Sequence, residues 1–397
     1  MPAEHFFAES PESVGVDPER LEALLDRARR EVREGLLPSA QIALARRGKL
    51  VALETFGHAR FEAGAEAEAT NDTLYCIFSC TKAITSAAAW LVIQEGKLSL
   101  DERVVEIIPE FATNGKQGIT VEQLFTHTAG FPHAPFPPSE WSSRERRLER
   151  FARWRLNWEP GSRFEYHPTS SMWVIAELIE RRSGVPYPKF VRERIAEPLG
   201  LDDLWVGLPR ELHPRMADVV HVGEEMTDAE FEALGLARPP ETEVTPEAIE
   251  AFNRPETRLG GVPGGGGIMT AGDLALFYQA LLTGRSHDGR EIWRPETLEQ
   301  ARRVRTGDLV DPLFGRPVNR GLGIVIAGDK DATYRGFGHT QSPLAFGHGG
   351  AGGQIGWADP QTGLSLAYCT QGHDRHMMRQ ARRGVGISSR AGACVVT

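Results

Sequence analysis

Apolar positions in the first hundred residues recur at helical spacing, then at strand spacing, then at helical spacing again. The first helix begins at Asp17-Pro18, an acidic N-cap followed by proline at the first helical position, and Gly35 ends it. Residues 41–46 and 49–56 are typical of two strands around a turn at Arg47-Gly48. The segment 79–95 is apolar almost all round and has no helix breaker, which predicts a buried helix.

The rest of the chain has helical signals up to about residue 260 and strand signals after it. Residues 321–328 resemble one strand, and residues 353–370 resemble a hairpin that turns at 359–363. Because strands lie at both ends of the chain, the simplest fold pairs the N-terminal hairpin with the C-terminal strands in one antiparallel sheet. We therefore predict an α/β protein of the α+β kind, an antiparallel sheet flanked by helices with an inserted helical domain. The predicted domains are 1–85 with 261–397, and 86–260.

Composition and charge narrow the classes of function. The chain has 397 residues, 41% of them hydrophobic and 25% charged, which is ordinary for a globular protein. The net charge of −9 argues against a nucleic-acid partner. No apolar run approaches the roughly 20 residues that span a bilayer, and the first thirteen residues lack the positive region of a secretory signal. We therefore expect a cytoplasmic protein with a small-molecule substrate; the oligomeric state is left open.

Most of the negative charge lies in one stretch, an acidic insertion predicted at residues 223–256. Ten acids between Glu224 and Glu256 are opposed only by Arg238 and Arg254. A solvated insertion with short helices is the favoured interpretation. The alternative is a mobile flap that borders the site and disfavours anionic substrates.

A serine and a lysine at the start of the buried helix form the first candidate site. Ser79 and Lys82 make an S-x-x-K element, and residues three apart share one helical face. A serine hydroxyl becomes a good nucleophile only when a neighbouring base removes its proton. A lysine among apolar residues loses part of its preference for the charged form, so that it can accept that proton.

Two further elements carry candidate chemistry. Tyr166 precedes a helix that opens near 169–171, and its phenol is either a packing group or a base and proton shuttle. His348, Gly349 and Gly350 form a segment whose glycines permit close approach of a substrate. Residues 347–352 match G-x-G-x-x-G, but a strand pattern follows them instead of a helix, so a nucleotide-binding alternative lacks the structural context that a dinucleotide site requires. The glycine run 263–267 is interpreted as a structural strand-to-helix turn near the cleft.

The cysteines and the remaining histidines are interpreted as structural. Cys76 and Cys80 are expected to be small buried hydrophobes, because no second close pair completes a zinc site. His127 is expected to be a hydrogen-bonded loop residue.

In their order and spacing, SCTK at 79–82, Tyr166 and HGG at 348–350 resemble the serine β-lactamase and penicillin-binding protein superfamily, and in particular the class C β-lactamase-like esterases called family VIII carboxylesterases. The stretches QLFTHTAGF, PGSRFEYHPTSSMWVIAELIERRSG and PGGGGIMTAGDLALF extend the resemblance over most of the chain. It implies that Ser79 is acylated and that Lys82 and Tyr166 share the base and acid work. The N–H groups of Ser79 and of Ala351, on a strand after the glycines, would form the oxyanion hole, and His348, Gly349 and Gly350 would bind substrate. No metal or cofactor is required.

Two departures from that family bear on the substrate. His348 replaces the lysine of the family's K-T-G motif, and a mostly neutral histidine is a weaker anchor for a carboxylate. Pro168 replaces the asparagine of Y-x-N and offers no side-chain hydrogen bond. We therefore expect a carboxylesterase for uncharged, short acyl esters. The alternatives are a D-amino-acid amidase or peptidase, a weak β-lactamase, an acyltransferase, and, in a different class, a non-catalytic scaffold.

Overall fold

The computed structural model describes residues 1–236, 238 and 244–395. The α-helices are α1 (Pro18–Arg33), α2 (Thr81–Gln94), α3 (Val104–Ile107), α4 (Val121–Phe125), α5 (Arg144–Arg153), α6 (Ser170–Ser183), α7 (Tyr187–Val191), α8 (Glu197–Leu199), α9 (Asp228–Leu234), α10 (Pro246–Glu250), α11 (Pro255–Gly260), α12 (Ala271–Thr283), α13 (Pro295–Arg302) and α14 (Met377–Gly392). The strands are β1 (Ser39–Arg46), β2 (Lys49–Arg60), β3 (Glu66–Glu68), β4 (Tyr75–Cys76), β5 (Trp205–Val206), β6 (Val220–Val222), β7 (Gly267–Met269), β8 (Val310–Asp311), β9 (Arg316–Pro317), β10 (Val325–Ile326), β11 (Phe346–Gly350), β12 (Gln354–Asp359), β13 (Leu364–Thr370) and β14 (Gly372–Asp374).

The central sheet joins the two ends of the chain. Its seven strands run antiparallel in the order β10-β11-β12-β13-β1-β2-β3. The pairing of β1 with β13 sets Ala43 opposite Ala367 and Leu44 opposite Leu366. The prediction that the N-terminal hairpin pairs with the C-terminal strands is therefore confirmed.

Side chains that alternate along β1 contribute to two separate parts of the core, one on each face of this sheet. Ala43 and Ala45 belong to a cluster that includes α2, α6 and α12, whereas Ile42 and Leu44 pack with α1 and α14. Successive strand residues point to opposite faces, so one short apolar strand serves both layers. The α+β fold class is confirmed; the domain boundaries at 85/86 and 260/261 stay a prediction.

One predicted strand is mostly a turn. Residues 321–328 contain only the two strand residues of β10, because Gly321 N–H donates to the Ile324 carbonyl and Gly323 has a φ of 74°. A Cβ on Gly323 would lie 1.8 Å from Ser86 Oγ on α2, so this turn is fixed by close packing that no local pattern reports.

The described part of the acidic insertion contains the expected short helices α9, α10 and α11. Residues 237 and 239–243, which hold two of its acids and two of its prolines, lie outside the described residues. In the portion of the chain that the structure describes, no helix is long and apolar enough to cross a membrane. The cytoplasmic location stays a prediction.

Candidate active site

Ser79 lies in a tight turn immediately before the buried helix, not in its first turn as expected. A 3-10 turn, Phe78–Cys80, precedes α2, and Phe78 has a left-handed φ of 43°. Thr81 holds this turn, since its Oγ1 donates to the Phe78 carbonyl (2.5 Å) and accepts from Gly267 N–H (2.8 Å). Ser79 is half-buried, whereas its neighbours Phe78 and Cys80 are buried.

Lys82 is fully buried and its ammonium nitrogen contacts Ser79. Nζ donates to Ser79 Oγ (3.0 Å), to the Pro168 carbonyl (2.6 Å) and to the Gly264 carbonyl (2.8 Å). Three acceptors match the three N–H donors of an ammonium group. Gly264 belongs to the run 263–267, which leads into β7 and not directly into a helix, so the strand-to-helix interpretation was wrong although its place beside the site was right.

Tyr166 lies beside Lys82, just before α6. Lys82 Nζ is 5.1 Å from the centre of the Tyr166 ring, and the His348 ring centre is 6.1 Å from it. The structure thus brings Ser79, Lys82, Tyr166 and His348 together from three separate parts of the sequence.

Strand β11 brings the HGG segment against the Ser79 turn. A Cβ on Gly350 would lie 2.3 Å from the Ile77 carbonyl oxygen, so glycine is needed for this approach. Cys80 Sγ donates to the His348 carbonyl (3.0 Å) and ties the same two segments together. Ala351 lies in a 3-10 turn, Ala351–Gly353, between β11 and β12 and not on a strand as expected, because β11 already ends where Gly350 pairs with Gln354.

His348 is a neutral imidazole. Its Nδ1 donates to the Gly349 carbonyl (2.6 Å), and its Nε2 faces Arg320 Nη1 at 3.4 Å, which requires Nε2 to be the acceptor. Burial, together with the positive charges of Arg320 and Lys82, holds the pKa of His348 well below its usual value. This agrees with the expectation that His348 is a weak anchor for a carboxylate.

Two other buried histidines support the Tyr166 loop. His127, at a φ of 58°, accepts the His167 N–H at Nδ1 (3.1 Å), and its ring centre is 4.7 Å from that of Tyr166. His167 Nε2 accepts the Phe131 N–H (3.1 Å), and burial lowers the pKa of His167 to about 3. His127 is therefore the hydrogen-bonded loop residue that was expected, and it also contacts the candidate site.

Arg320 is a site residue that the sequence did not single out. Its guanidinium carbon lies 5.4 Å from the Tyr166 ring centre and 5.5 Å from that of Phe164. Its only sequence signal is a position just before the turn at 321–324, which says nothing about Tyr166.

The acidic insertion reaches the site through an apolar residue. Phe252 packs edge-on against Phe78 with ring centres 5.3 Å apart, and it also contacts Trp141 at 5.3 Å. The insertion therefore borders the Ser79 turn. Cys76, Cys80, Cys369 and Cys394 are all buried and unpaired, as expected of small hydrophobes.

Comparison with known proteins agrees with this fold. In solved structures, a penicillin-binding protein homologue from Caulobacter crescentus superposes with a TM-score of 0.79 at 28% identity, covering 96% of this chain and 99% of the other. A family VIII carboxylesterase superposes with a TM-score of 0.76 at 25% identity, covering 95% and 99%. The architecture is that of the serine β-lactamases and penicillin-binding proteins.

Sequence comparison gives the family. The beta-lactamase family matches residues 24–388, and the chain belongs to that family. A protein of Escherichia coli strain K12, provisionally named a D-alanyl-D-alanine carboxypeptidase, is 26% identical over 379 residues, 90% of this chain and 83% of that protein. The esterase/beta-lactamase LipL of Mycobacterium tuberculosis H37Rv is 28% identical over 308 residues, 75% of this chain and 68% of LipL. The chain is a hydrolase of the β-lactamase fold.

Proposed function

We propose that this protein hydrolyses carboxylic esters of short acyl groups through an acyl-enzyme on Ser79. The observation that carries the proposal is the contact of Lys82 Nζ with Ser79 Oγ, made by a lysine that two backbone carbonyls hold in place. A nucleophile within hydrogen-bond distance of a fixed proton-transfer group is the arrangement that serine acyl transfer requires.

The reaction needs only groups in this cluster. Ser79 Oγ gives its proton to the Lys82–Tyr166 pair, in which one partner must first be unprotonated, the lysine as a neutral amine or the tyrosine as a phenolate, because an ammonium group cannot accept a proton. Ser79 Oγ then bonds to the ester carbonyl carbon, and the N–H groups of Ser79 and Ala351 hold the resulting oxyanion. The carbonyl re-forms, the bond to the alcohol oxygen breaks, and that oxygen takes the proton. Water then attacks the carbonyl carbon of the acyl-enzyme in the same way. The bond to Ser79 Oγ breaks, Ser79 takes back its proton, and the carboxylic acid leaves.

The two side chains that anchor β-lactams in the family's motifs, the lysine of K-T-G and the asparagine of Y-x-N, are both replaced here. His348 is neutral and fully engaged, and Pro168 supplies only its carbonyl, which Lys82 occupies. The similarity to a family VIII carboxylesterase and to LipL supports ester hydrolysis. The similarity to the E. coli protein favours a second candidate, D-amino-acid peptidase activity.

A burst assay with p-nitrophenyl butyrate tests the proposal. We expect a stoichiometric burst of p-nitrophenol and covalent labelling by a p-nitrophenyl phosphonate. Ser79→Ala should lower turnover at least about 1000-fold and abolish labelling, because the covalent route is lost. Ser86→Ala is the matched control, since Ser86 is buried on α2 two turns beyond Ser79 and belongs to no part of the proposed machinery.

The same assay separates the alternatives. Full turnover by Ser79→Ala would refute the acyl-enzyme, and an unlabelled wild-type protein would favour the scaffold. D-alanine amide, nitrocefin, and ester with an added alcohol acceptor test amidase, β-lactamase and acyltransferase activity in turn.

A further inference from the structure

A second positive charge contacts the Tyr166 ring besides that of Lys82. The guanidinium of Arg320 packs on Tyr166 and Phe164, and its Nη1 faces His348 Nε2 at 3.4 Å. Lys82 Nζ also lies over Tyr166, 5.1 Å from the centre of its ring. Arg320 and Lys82 therefore both contact the tyrosine of the proposed proton-transfer pair.

Arg320 forms no ion pair among the described residues, although the negative charge of Asp311 acts on its guanidinium from a longer distance. Over the described residues, no carboxylate oxygen lies within 4.0 Å of its side-chain nitrogens, and its one side-chain hydrogen bond is the long contact with His348. Three arginines that are more buried than Arg320 are each paired with acids: Arg147 with Glu177 and Glu180, Arg258 with Asp218, and Arg383 with Asp374. Arg320 is partly exposed, so its remaining donors are accessible to a ligand.

We propose that Arg320 forms an anion subsite that selects esters bearing a carboxylate on the acyl chain, an assignment that rests on the proposed function of Ser79. A guanidinium binds a carboxylate through two parallel, charge-assisted hydrogen bonds, and it does so best where it is already partly desolvated and positioned. Stacking on two aromatic rings positions it here. Arg320 thereby supplies from another element the positive charge that neutral His348 lacks, which reverses the expectation of uncharged substrates.

The acidic insertion acts in the opposite direction, but more weakly at this point. It reaches the Ser79 turn through the apolar side chain of Phe252, whereas Arg320 contacts Tyr166 directly. Exposed charges more than about 8 Å apart are largely screened at physiological ionic strength. Of these two elements, Arg320 is therefore the one whose charge is in contact with the candidate site.

Two esters with the same leaving group and the same acyl length test this subsite. These are p-nitrophenyl hexanoate, which is neutral, and mono-p-nitrophenyl adipate, which ends in a carboxylate. Shorter diacid monoesters are avoided because their own carboxylate attacks the ester. The measured quantity is the ratio of kcat/KM for the anionic ester to that for the neutral ester.

Arg320→Gln should lower this ratio about 10- to 100-fold, as expected when a charge-assisted hydrogen bond is lost. Arg320→Lys, which keeps the positive charge but cannot form two parallel hydrogen bonds, should lower this ratio less. Arg316→Gln is the matched control: Arg316 stacks on Tyr334 at 5.5 Å in the same loop, away from Tyr166, and its variant should keep the wild-type ratio. Since both esters are measured on one preparation, a partly unfolded fraction cancels in the ratio.

The failures of the two proposals are distinguishable. If both esters are hydrolysed through Ser79 and the ratio in Arg320→Gln equals that of wild type, the subsite is refuted and the esterase stands. The subsite is equally refuted if Arg320→Gln lowers both rates by the same factor, since Arg320 then only supports Tyr166 and His348. If neither ester is hydrolysed and no phosphonate adduct forms on Ser79, the esterase proposal itself fails.

Discussion

At the scale of single residues, the site depends on a close backbone approach between β11 and the turn that carries Ser79. Gly349 and Gly350 are adjacent and look equivalent in the sequence. In the structure they differ, because a Cβ on Gly350 would lie 2.3 Å from the Ile77 carbonyl oxygen, whereas a Cβ on Gly349 would lie 3.7 Å from its nearest neighbour, the Gln354 carbonyl oxygen. Only Gly350 is therefore required by packing.

Gly350→Ala should lower kcat/KM for p-nitrophenyl butyrate at least about 100-fold. The added methyl pushes β11 away from the Ser79 turn, and a displacement of about 1 Å at a reacting centre costs that much. Gly118→Ala, at an exposed position outside the site where a Cβ meets no atom within 4 Å, is the control and should stay within about threefold of wild type. Equal effects of the two substitutions on kcat/KM would show that the approach of β11 does not matter to catalysis.

At the scale of elements, the start of α12 contains a buried acid. Thr270 caps the helix by accepting the Asp273 N–H, and the Asp273 carboxyl accepts the Asp203 N–H at 2.7 Å. Burial, with the nearby charge of Asp203, raises the pKa of Asp273 from 3.8 to about 7. The folded state therefore binds a proton here that the unfolded chain releases near pH 4.

This shift predicts a pH dependence of stability. A carboxyl whose pKa is raised by folding stabilises the fold below its unfolded pKa, and the contribution is lost as pH rises through about 7. Relative to Asp273→Asn, wild type should therefore lose on the order of 3 kcal/mol of unfolding free energy between pH 4 and 7.5.

Urea unfolding of both proteins at several pH values measures this difference. Asp228→Asn, at a side chain that is 88% exposed and does not act on Asp273, is the control and should follow wild type throughout. A constant gap between wild type and Asp273→Asn across this range would contradict the assignment of a raised pKa.

At the scale of the whole molecule, a buried ionic network links the two ends of the chain behind the sheet. Asp374 of β14 accepts from Arg379 Nε (2.8 Å) and Arg383 Nη1 (3.0 Å), both on α14. Arg383 in turn lies 3.8 Å from Glu31 of α1, and the side chains of Asp374 and Arg383 are fully buried. This network fixes α14 against α1 and against the strand that follows β13.

Asp374→Asn should destabilise the protein by about 3–5 kcal/mol, because it leaves Arg383 charged and buried without its main counter-ion. Asp26→Asn, which removes an exposed partner of Arg29, is the matched control and should cost less than about 1 kcal/mol. Chemical denaturation gives both values. Similar costs for the two variants would mean that burial does not set the strength of the network.

The sequence predicted the elements whose signals are local. The N-cap at Asp17, the hairpin at 47–48, the apolar helix after Ser79 and the turn at 359–363 all appear where expected. The sequence also predicted that β1 pairs with the C-terminal strands. Without that pairing, the strands at each end of the chain would expose unpaired backbone N–H and carbonyl groups. The error at 321–328 arose because an apolar run with three glycines does not reveal that one of them packs on Ser86.

By itself, then, the sequence determined the fold class through periodicity, and through motif order it predicted three candidate groups, Ser79, Lys82 and Tyr166. Only the tertiary structure decided what surrounds them: which carbonyls hold Lys82, that His348 is neutral, and that Arg320 lies over Tyr166 without a carboxylate partner among the described residues. The physical reason is distance along the chain. Pattern and capping act over a few residues, whereas Arg320 and Tyr166 are 154 positions apart and meet only because the sheet closes between the two ends of the chain.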